Sequence, residues 1–201
     1  MRTNSEHNRM RRMTGLSIFT AIILVLTVIC TFIRFGPFSI TLALTPIIIG
    51  GALYGAGAGA YLGGVFGLVV LLTGILGWDG GTVMYLLSIN PIGCILICLV
   101  KGAAAGYLSA LLYRLLARRS EKAAVVVAAV ACPVVNTGLF LVGMAVFFFA
   151  QLGDWAAAEG QAIGYYIIVS LTGINFVVEL LVNLLLSSGI TRIIRAGKAG
   201  R

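Results

Sequence analysis

The sequence predicts an all-α integral membrane protein with six transmembrane helices, and three observations support this fold class. The 201 residues are 60% hydrophobic, with a mean hydropathy of +1.09. Charged residues make up 10% of the chain, whereas a water-soluble domain carries about 25% to cover its surface. The apolar residues also fall in long runs, separated by short segments that hold most of the Lys and Arg.

Six runs are long enough to cross a bilayer, which requires about 20 predominantly apolar residues. The predicted spans are residues 13–33, 38–54, 56–76, 91–117, 123–150 and 162–191. The first run has span length and lacks a small-residue cleavage site, so we interpret it as a mature helix rather than a signal peptide. The chain is therefore predicted to form one membrane domain over residues 1–201, with basic tails at 1–12 and 192–201.

The distribution of cations predicts which side of the membrane each loop occupies. Twelve of the fourteen Lys and Arg lie in the N-terminal tail, in the loop after the fourth span and in the C-terminal tail. The opposite loops offer Arg34 as a cation, together with three acidic residues. Because cytoplasmic segments carry the positive excess, both termini are predicted to be cytoplasmic. Topology and contact with anionic lipid explain the net charge of +8 without nucleic acid.

Glycines recur at every fourth position through the hairpin that joins the second and third spans. They are Gly51, Gly55, Gly59, Gly63 and Gly67. Such a stripe lets another helix approach closely, because helix association in lipid depends on packing. It either packs the hairpin within the chain or forms a surface against a partner protein, for which Gly51 and Gly55 are the candidates. Ser17 and Ala21 form a second pair of small residues, on the first span.

Two ionisable residues lie inside apolar spans, Lys101 in the fourth and Glu179 in the sixth. Charged groups are costly in the membrane, so such residues are functional candidates by default. Amides and a hydroxyl accompany them at Asn136, Thr137, Asn175 and Asn183. On the sixth span, Glu179 and the two asparagines are four residues apart and share one helix face.

These polar residues allow two interpretations. In the first, Lys101 and Glu179 pair with each other, and the amides form hydrogen bonds between helices worth about 0.6 kcal/mol each. In the second, they line a ligand cavity, which we favour for Lys101, Asn136, Thr137 and Asn175. For Glu179 and Asn183 both interpretations stay open. Trp78 and Trp155 lie in predicted outer loops, where aromatic side chains are able to cover the mouth of a pocket.

Enzymatic chemistry finds little support in the sequence. The single histidine is His7 in the N-terminal tail, so no histidine base or metal ligand lies inside the membrane. No GxxxxGK[ST] nucleotide loop occurs, and all four cysteines lie within apolar runs, where cysteine behaves as a small hydrophobe. We expect no catalytic residue, no metal and no cofactor. A stand-alone channel or secondary carrier is the alternative class, although the inverted repeats of many carriers are not visible.

The most specific motif in the chain is the stretch from Leu44 to Gly67, which contains Pro46 followed by a series of glycines. Together with the polar patterns of the fifth and sixth spans, it resembles the substrate-binding (S) component of energy-coupling factor (ECF) vitamin transporters. The resemblance covers nearly the whole chain. It implies a receptor in the bacterial plasma membrane that captures a water-soluble vitamin, with a transmembrane coupling subunit and two ATPase subunits as partners.

The resemblance also implies roles for individual residues. In the family an Ala-x-x-x-Ala pair on the first helix packs against the coupling subunit, and Ser17 and Ala21 occupy that place, with Ser replacing the first Ala. The ligand of the family lies in the outer half of the bundle. The substrate-binding candidates are therefore Arg34, Trp78, Asn90, Lys101, Asn136, Thr137, Asn175 and Glu179. One cation among amides favours pantothenate as the ligand, with folate and riboflavin as alternatives.

Overall fold

The computed structural model describes residues 4–33, 41–171 and 173–199, and all regular secondary structure in these ranges is helical. The helices are α1 (Asn4–Thr31), α2 (Leu44–Tyr54), α3 (Ala56–Ile75), α4 (Thr82–Ile89), α5 (Pro91–Leu116), α6 (Glu121–Phe147), α7 (Phe149–Ala158), α8 (Ile163–Tyr165) and α9 (Gly173–Ala199). A π-helical segment, Tyr166–Leu171, follows α8. The all-helical class is confirmed within these ranges.

Among the described residues, five helical segments are long and apolar enough to cross a membrane. They are Arg9–Thr31 within α1, all of α3, α5 and α6, and Ile163–Gly197, which includes α9. The segment predicted as the second span, residues 38–54, is helical over the 11 residues of α2, which is short of the roughly 20 needed to cross. Residues 41–43 precede that helix, and 38–40 lie outside the described residues. Six complete spans therefore stay a prediction.

α2 lies at the centre of the bundle, where it contacts α1, α3, α5, α6 and α9. Seven of its eleven residues are buried. Ile47 and Ile48 pack with Leu62 and Phe66 of α3 in a large apolar cluster. α2 is therefore a short central helix enclosed by the longer helices of the bundle.

α3 and α5 form the most extensive helix pair in the bundle. Three glycines of α3 leave no room for a side chain, because a Cβ would overlap a backbone carbonyl of α5; they are Gly59, Gly63 and Gly67. Gly102 and Gly106 are the facing small residues on α5. This part of the glycine stripe therefore packs the protein internally, in agreement with the first of the two interpretations.

The described cations outside the polar interior gather at one end of the bundle, which we call the basic end. They include Arg9, Arg11, Arg12, Arg114, Arg118, Arg119, Lys122, Arg192 and Arg195. Arg195 Nε donates to Glu121 Oε2 at 2.8 Å, which joins the end of α9 to the start of α6. Tyr54, at the end of α2, packs against Gly15 of α1. The clusters that the sequence assigned to one side of the membrane are thus adjacent in space.

Helical structure differs from the predicted spans at several boundaries. α1 begins at Asn4 and α9 ends at Ala199, so most of both basic tails is helical rather than irregular. α6 continues through Pro133 and ends at Phe147, three residues before the predicted limit, and α7 starts after a break at Phe148. Consequently Trp155 lies in α7 and not in a loop as expected. The predicted sixth span is interrupted by the π-helical segment.

Candidate functional site

A layer of polar side chains separates two apolar clusters of the bundle. One cluster surrounds α2, and the other lies among α4, α5, α6, α7 and the π-helical segment. On α5 and α6 the polar residues come in the chain between residues of one cluster and residues of the other. On α9 they come between Leu171 of the π-helical segment, in one cluster, and Ile190, in the other. This polar layer consists of Lys101, Asn136, Thr137, Asn175 and Glu179. Five of the eight candidate substrate-binding residues therefore lie at one level of the bundle.

Hydrogen bonds connect α9 to the segment that enters α2. The backbone N–H of Thr41 donates to Glu179 Oε1 at 3.0 Å, and Thr45 Oγ1 donates to Asn183 Oδ1 at 2.9 Å. Asn183 Nδ2 in turn donates to the backbone carbonyl of Glu179 at 2.9 Å. The sequence analysis missed the two threonines. Their spacing of four residues, which matches the spacing of Glu179 and Asn183 on α9, is the signal that identifies them.

In the polar layer, the buried oxygens Asn136 Oδ1 and Glu179 Oε2 lack a hydrogen-bond donor among the described residues. The side chains are deeply buried, since Asn136 is 5% exposed and Glu179 is 4% exposed. A buried acceptor without a donor costs about 1–3 kcal/mol. Both oxygens are therefore available for donors from a bound molecule or from water.

Lys101 is half-buried on α5, and its Nζ lies 4.9 Å from the centroid of the Phe140 ring on α6. A lysine in this position gains cation–π attraction while its N–H groups remain able to donate. Among the described residues Lys101 and Glu179 form no ion pair, so the pairing considered from the sequence is not observed. Phe140 was also missed by the sequence analysis; it lies one turn beyond Asn136 on the same helix.

The aromatic candidates divide between two places at the end opposite the basic end. Trp78 packs against Phe32, with ring centroids 5.9 Å apart. Trp155 packs against Tyr85, with centroids 6.1 Å apart. The second pair lines an open cleft of about 380 Å³, together with the Gly80–Gly81 turn, Glu159 and Tyr166. Trp78 is not among the residues that line this cleft.

Two other candidates stand apart from the polar layer. Asn90 caps α5: its Oδ1 accepts from the backbone N–H of Gly93 at 2.9 Å, and Pro91 occupies the first position of the helix. The side-chain oxygen of Asn90 is thus engaged in the structure of the helix terminus. Arg34 lies outside the described residues, and its contribution stays a prediction. Among the described residues no group of three His, Cys, Asp or Glu is placed to hold a metal ion.

The four residues considered for a partner interface fall into two groups. Ser17 and Ala21 are exposed on α1, and Ser17 Oγ donates to the carbonyl of Met13 at 3.0 Å within the same helix. Gly51, by contrast, faces Ala110 of α5, where an added Cβ would clash. Gly55 has a φ of +94° at the junction of α2 and α3, a conformation that glycine adopts readily.

The fold and the polar layer define a multi-pass helical membrane protein with buried polar groups in its interior. A family model described as "ECF transporter, substrate-specific component" matches residues 11–194 of the chain. The chain therefore belongs to the family of ECF transporter substrate-specific components, whose members are substrate-binding subunits of transporters and not enzymes. A search of curated proteins finds no match.

Proposed function

We propose that this chain captures a water-soluble vitamin for ATP-driven uptake into a bacterial cell, as the substrate-binding subunit of an ECF-type importer in the plasma membrane. The observation that carries the proposal is the pair of donor-free buried oxygens, Asn136 Oδ1 and Glu179 Oε2. Membrane proteins rarely retain polar groups in this state unless those groups line a site or a pathway. The positions lie in the half of the bundle beyond the start of α2, away from the basic end.

The chemistry of the polar layer restricts the ligand. Asn136 Oδ1 and Glu179 Oε2 accept hydrogen bonds, so they suit hydroxyl or amide N–H groups. Lys101 supplies donors and a positive charge for a carboxylate. Pantothenate carries a carboxylate, two hydroxyls and an amide, which matches this set, and we favour it over folate and riboflavin. Asn175 is buried on the same face of α9 as Glu179, and it adds a further amide to the proposed site.

The proposed partners are a transmembrane coupling subunit and two ATPase subunits, because the chain has no nucleotide-binding loop of its own. Ser17 and Ala21 support this part of the proposal. Both are small and exposed, and the Ser17 hydroxyl is already engaged by the Met13 carbonyl. The surface of α1 at this point is thus smooth and requires no polar partner, which suits close packing of a second helix.

Mass spectrometry of small molecules that co-purify with the protein tests the proposal. The protein is extracted in mild detergent, denatured, and the released molecules are identified against an identically treated sample of the Lys101→Met, Asn136→Leu double variant. We expect one vitamin at close to stoichiometric amount in the wild type and its loss in the variant. Equal recovery from both proteins, or uptake into liposomes without ATPase partners, would contradict the proposal and favour a channel or carrier.

A further inference from the structure

The basic end contains a second cavity, distinct from the polar layer. It has a volume of about 420 Å³ and lies between the ends of α2 and α5. Its walls are mainly small or apolar; they include Ala52, Leu53, Ala110 and Ala117. Tyr113 also lines the cavity, and its hydroxyl donates to Glu121 Oε1 at 3.3 Å, which fixes the ring as a wall. None of the described residues that line it is acidic.

Two arginines line the same cavity, Arg114 in the last turn of α5 and Arg118 just beyond that helix. They are four residues apart and both exposed, and neither forms a hydrogen bond or ion pair with any described residue. The nearby carboxylate of Glu121 is engaged by Arg195 and Tyr113. The cavity therefore combines an apolar interior with two cations whose charge no described carboxylate compensates.

From this combination we infer that the cavity binds the headgroup of an anionic phospholipid, with the glycerol and upper acyl chain against its apolar wall. Basic pockets between helices at the cytoplasmic membrane face bind anionic headgroups in this way. The guanidinium groups suit a phosphate, since each offers paired donors in a plane. The volume of about 420 Å³ accommodates a glycerophosphate headgroup. The inference concerns a site separate from the vitamin site and does not depend on the ligand of that site.

Lipid binding to the delipidated protein in detergent tests this inference. Phosphatidylglycerol and phosphatidylcholine with the same acyl chains are compared by native mass spectrometry, for the wild type and for the Arg114→Gln, Arg118→Gln double variant. We expect the wild type to prefer phosphatidylglycerol, and the variant to bind it roughly 30-fold more weakly, about fivefold for each cation lost. The matched control is Arg119→Gln, Lys122→Gln, which removes two exposed cations that do not line the cavity.

Equal loss of affinity in the double variant and its control would overturn the inference, because it would indicate a general effect of surface charge. Absence of a headgroup preference would do the same. Saturation of the site by glycerol phosphate without acyl chains would indicate a free-anion site instead of a lipid site. If the double variant keeps the lipid but loses the coupling subunit, the cavity belongs to a protein interface and the inference is wrong.

A second variant keeps the charges and fills the cavity. Ala117→Leu adds volume to the wall and leaves both arginines in place. We expect it to reduce phosphatidylglycerol binding at least tenfold, while the melting temperature of the lipid-free protein and vitamin binding stay at wild-type values. Unchanged lipid binding in this variant would show that the arginines act at the open surface and would contradict a built cavity site.

Discussion

Asn136 and Glu179 present oxygens in a part of the protein where water is scarce and no described donor reaches them. Glu179 has two functions in this account, because its Oε1 holds the backbone of Thr41 while its Oε2 faces the proposed ligand. Lys101 differs from both, since its aromatic neighbour Phe140 gives its charge favourable contact without using its N–H donors. The sequence indicates these residues through their polarity in apolar runs. Thr41 and Thr45 are indicated only by their spacing, which matches that of Glu179 and Asn183, and Phe140 is not indicated because phenylalanine is ordinary in a membrane helix.

Replacing Lys101 by Met removes the cation and retains a side chain of similar length. We expect the affinity for a carboxylate-bearing vitamin to fall by about 1.5–3 kcal/mol, the range for hydrogen bonds to charged groups. Isothermal titration of the purified protein measures the change. Lys122→Met, an equivalent substitution at an exposed site of the basic end, should leave the affinity unchanged. Unaltered affinity in Lys101→Met would remove this residue from the site.

Replacing Asn136 by Leu should have opposite effects on stability and binding. The ligand-free protein should keep or raise its melting temperature, because the substitution removes a buried oxygen that has no described donor. Vitamin affinity should fall at least tenfold, which is about 1.4 kcal/mol. Thermal unfolding with and without the vitamin measures both quantities. A lower melting temperature with unchanged affinity would assign Asn136 a structural role.

At the scale of elements, two features organise the bundle: the close contact of α3 with α5 and the central burial of α2. The glycine spacing predicts the first feature, because a small residue every fourth position marks a helix contact. Central burial of α2 is not predictable from its composition, since an apolar helix reads alike whether it faces lipid or protein. α4 and the extent of α7 are not predicted from the sequence, because both helices are too short to meet the length criterion for a membrane span. The interruption at Tyr166–Leu171 is not visible in the apolar pattern of the sequence.

Gly63→Ala and Gly64→Ala form a matched pair that tests the α3–α5 contact. A Cβ at Gly63 would overlap the backbone carbonyl of Gly102, whereas a Cβ at Gly64 meets nothing within 4 Å. We expect Gly63→Ala to destabilise the protein by about 1–3 kcal/mol, as overpacking does. Gly64→Ala should be neutral or stabilising, by up to about 1 kcal/mol, because alanine favours the helix. Thermal unfolding in detergent distinguishes them, and equal effects of the two substitutions would contradict the described contact.

At the scale of the whole molecule, charge and polarity divide the bundle along its length. The basic end gathers most of the cations, the polar layer lies between two apolar clusters, and aromatic pairs occupy the opposite end. The sequence predicts this division well, because positive charge and apolar length are one-dimensional signals. The burial of Asn136 and Glu179 and the contact of Lys101 with Phe140 are three-dimensional facts that helix spacing alone does not provide. The orientation of the bundle in the membrane stays a prediction based on the cations.

Ala21→Phe tests the proposed partner surface of α1. A bulky ring on this exposed small residue should prevent close approach of a second helix, so we expect the coupling subunit to co-purify poorly with the variant. Vitamin affinity should stay at the wild-type value, because Ala21 lies on α1, and the polar layer is formed by residues of α5, α6 and α9. Leu115→Phe, at a site on α5 that is 60% exposed, serves as the control. Equal co-purification of both variants would exclude this face of α1 from the interface.

Equilibrium binding of a panel of water-soluble vitamins to the purified protein in detergent tests directly whether this chain is a vitamin receptor. We predict that one vitamin binds with one-to-one stoichiometry. The Lys101→Met, Asn136→Leu double variant should lose this binding while it retains the thermal stability of the ligand-free wild type. Binding of the vitamin to the double variant with wild-type affinity, or failure of every vitamin in the panel to bind the wild type, would contradict the account.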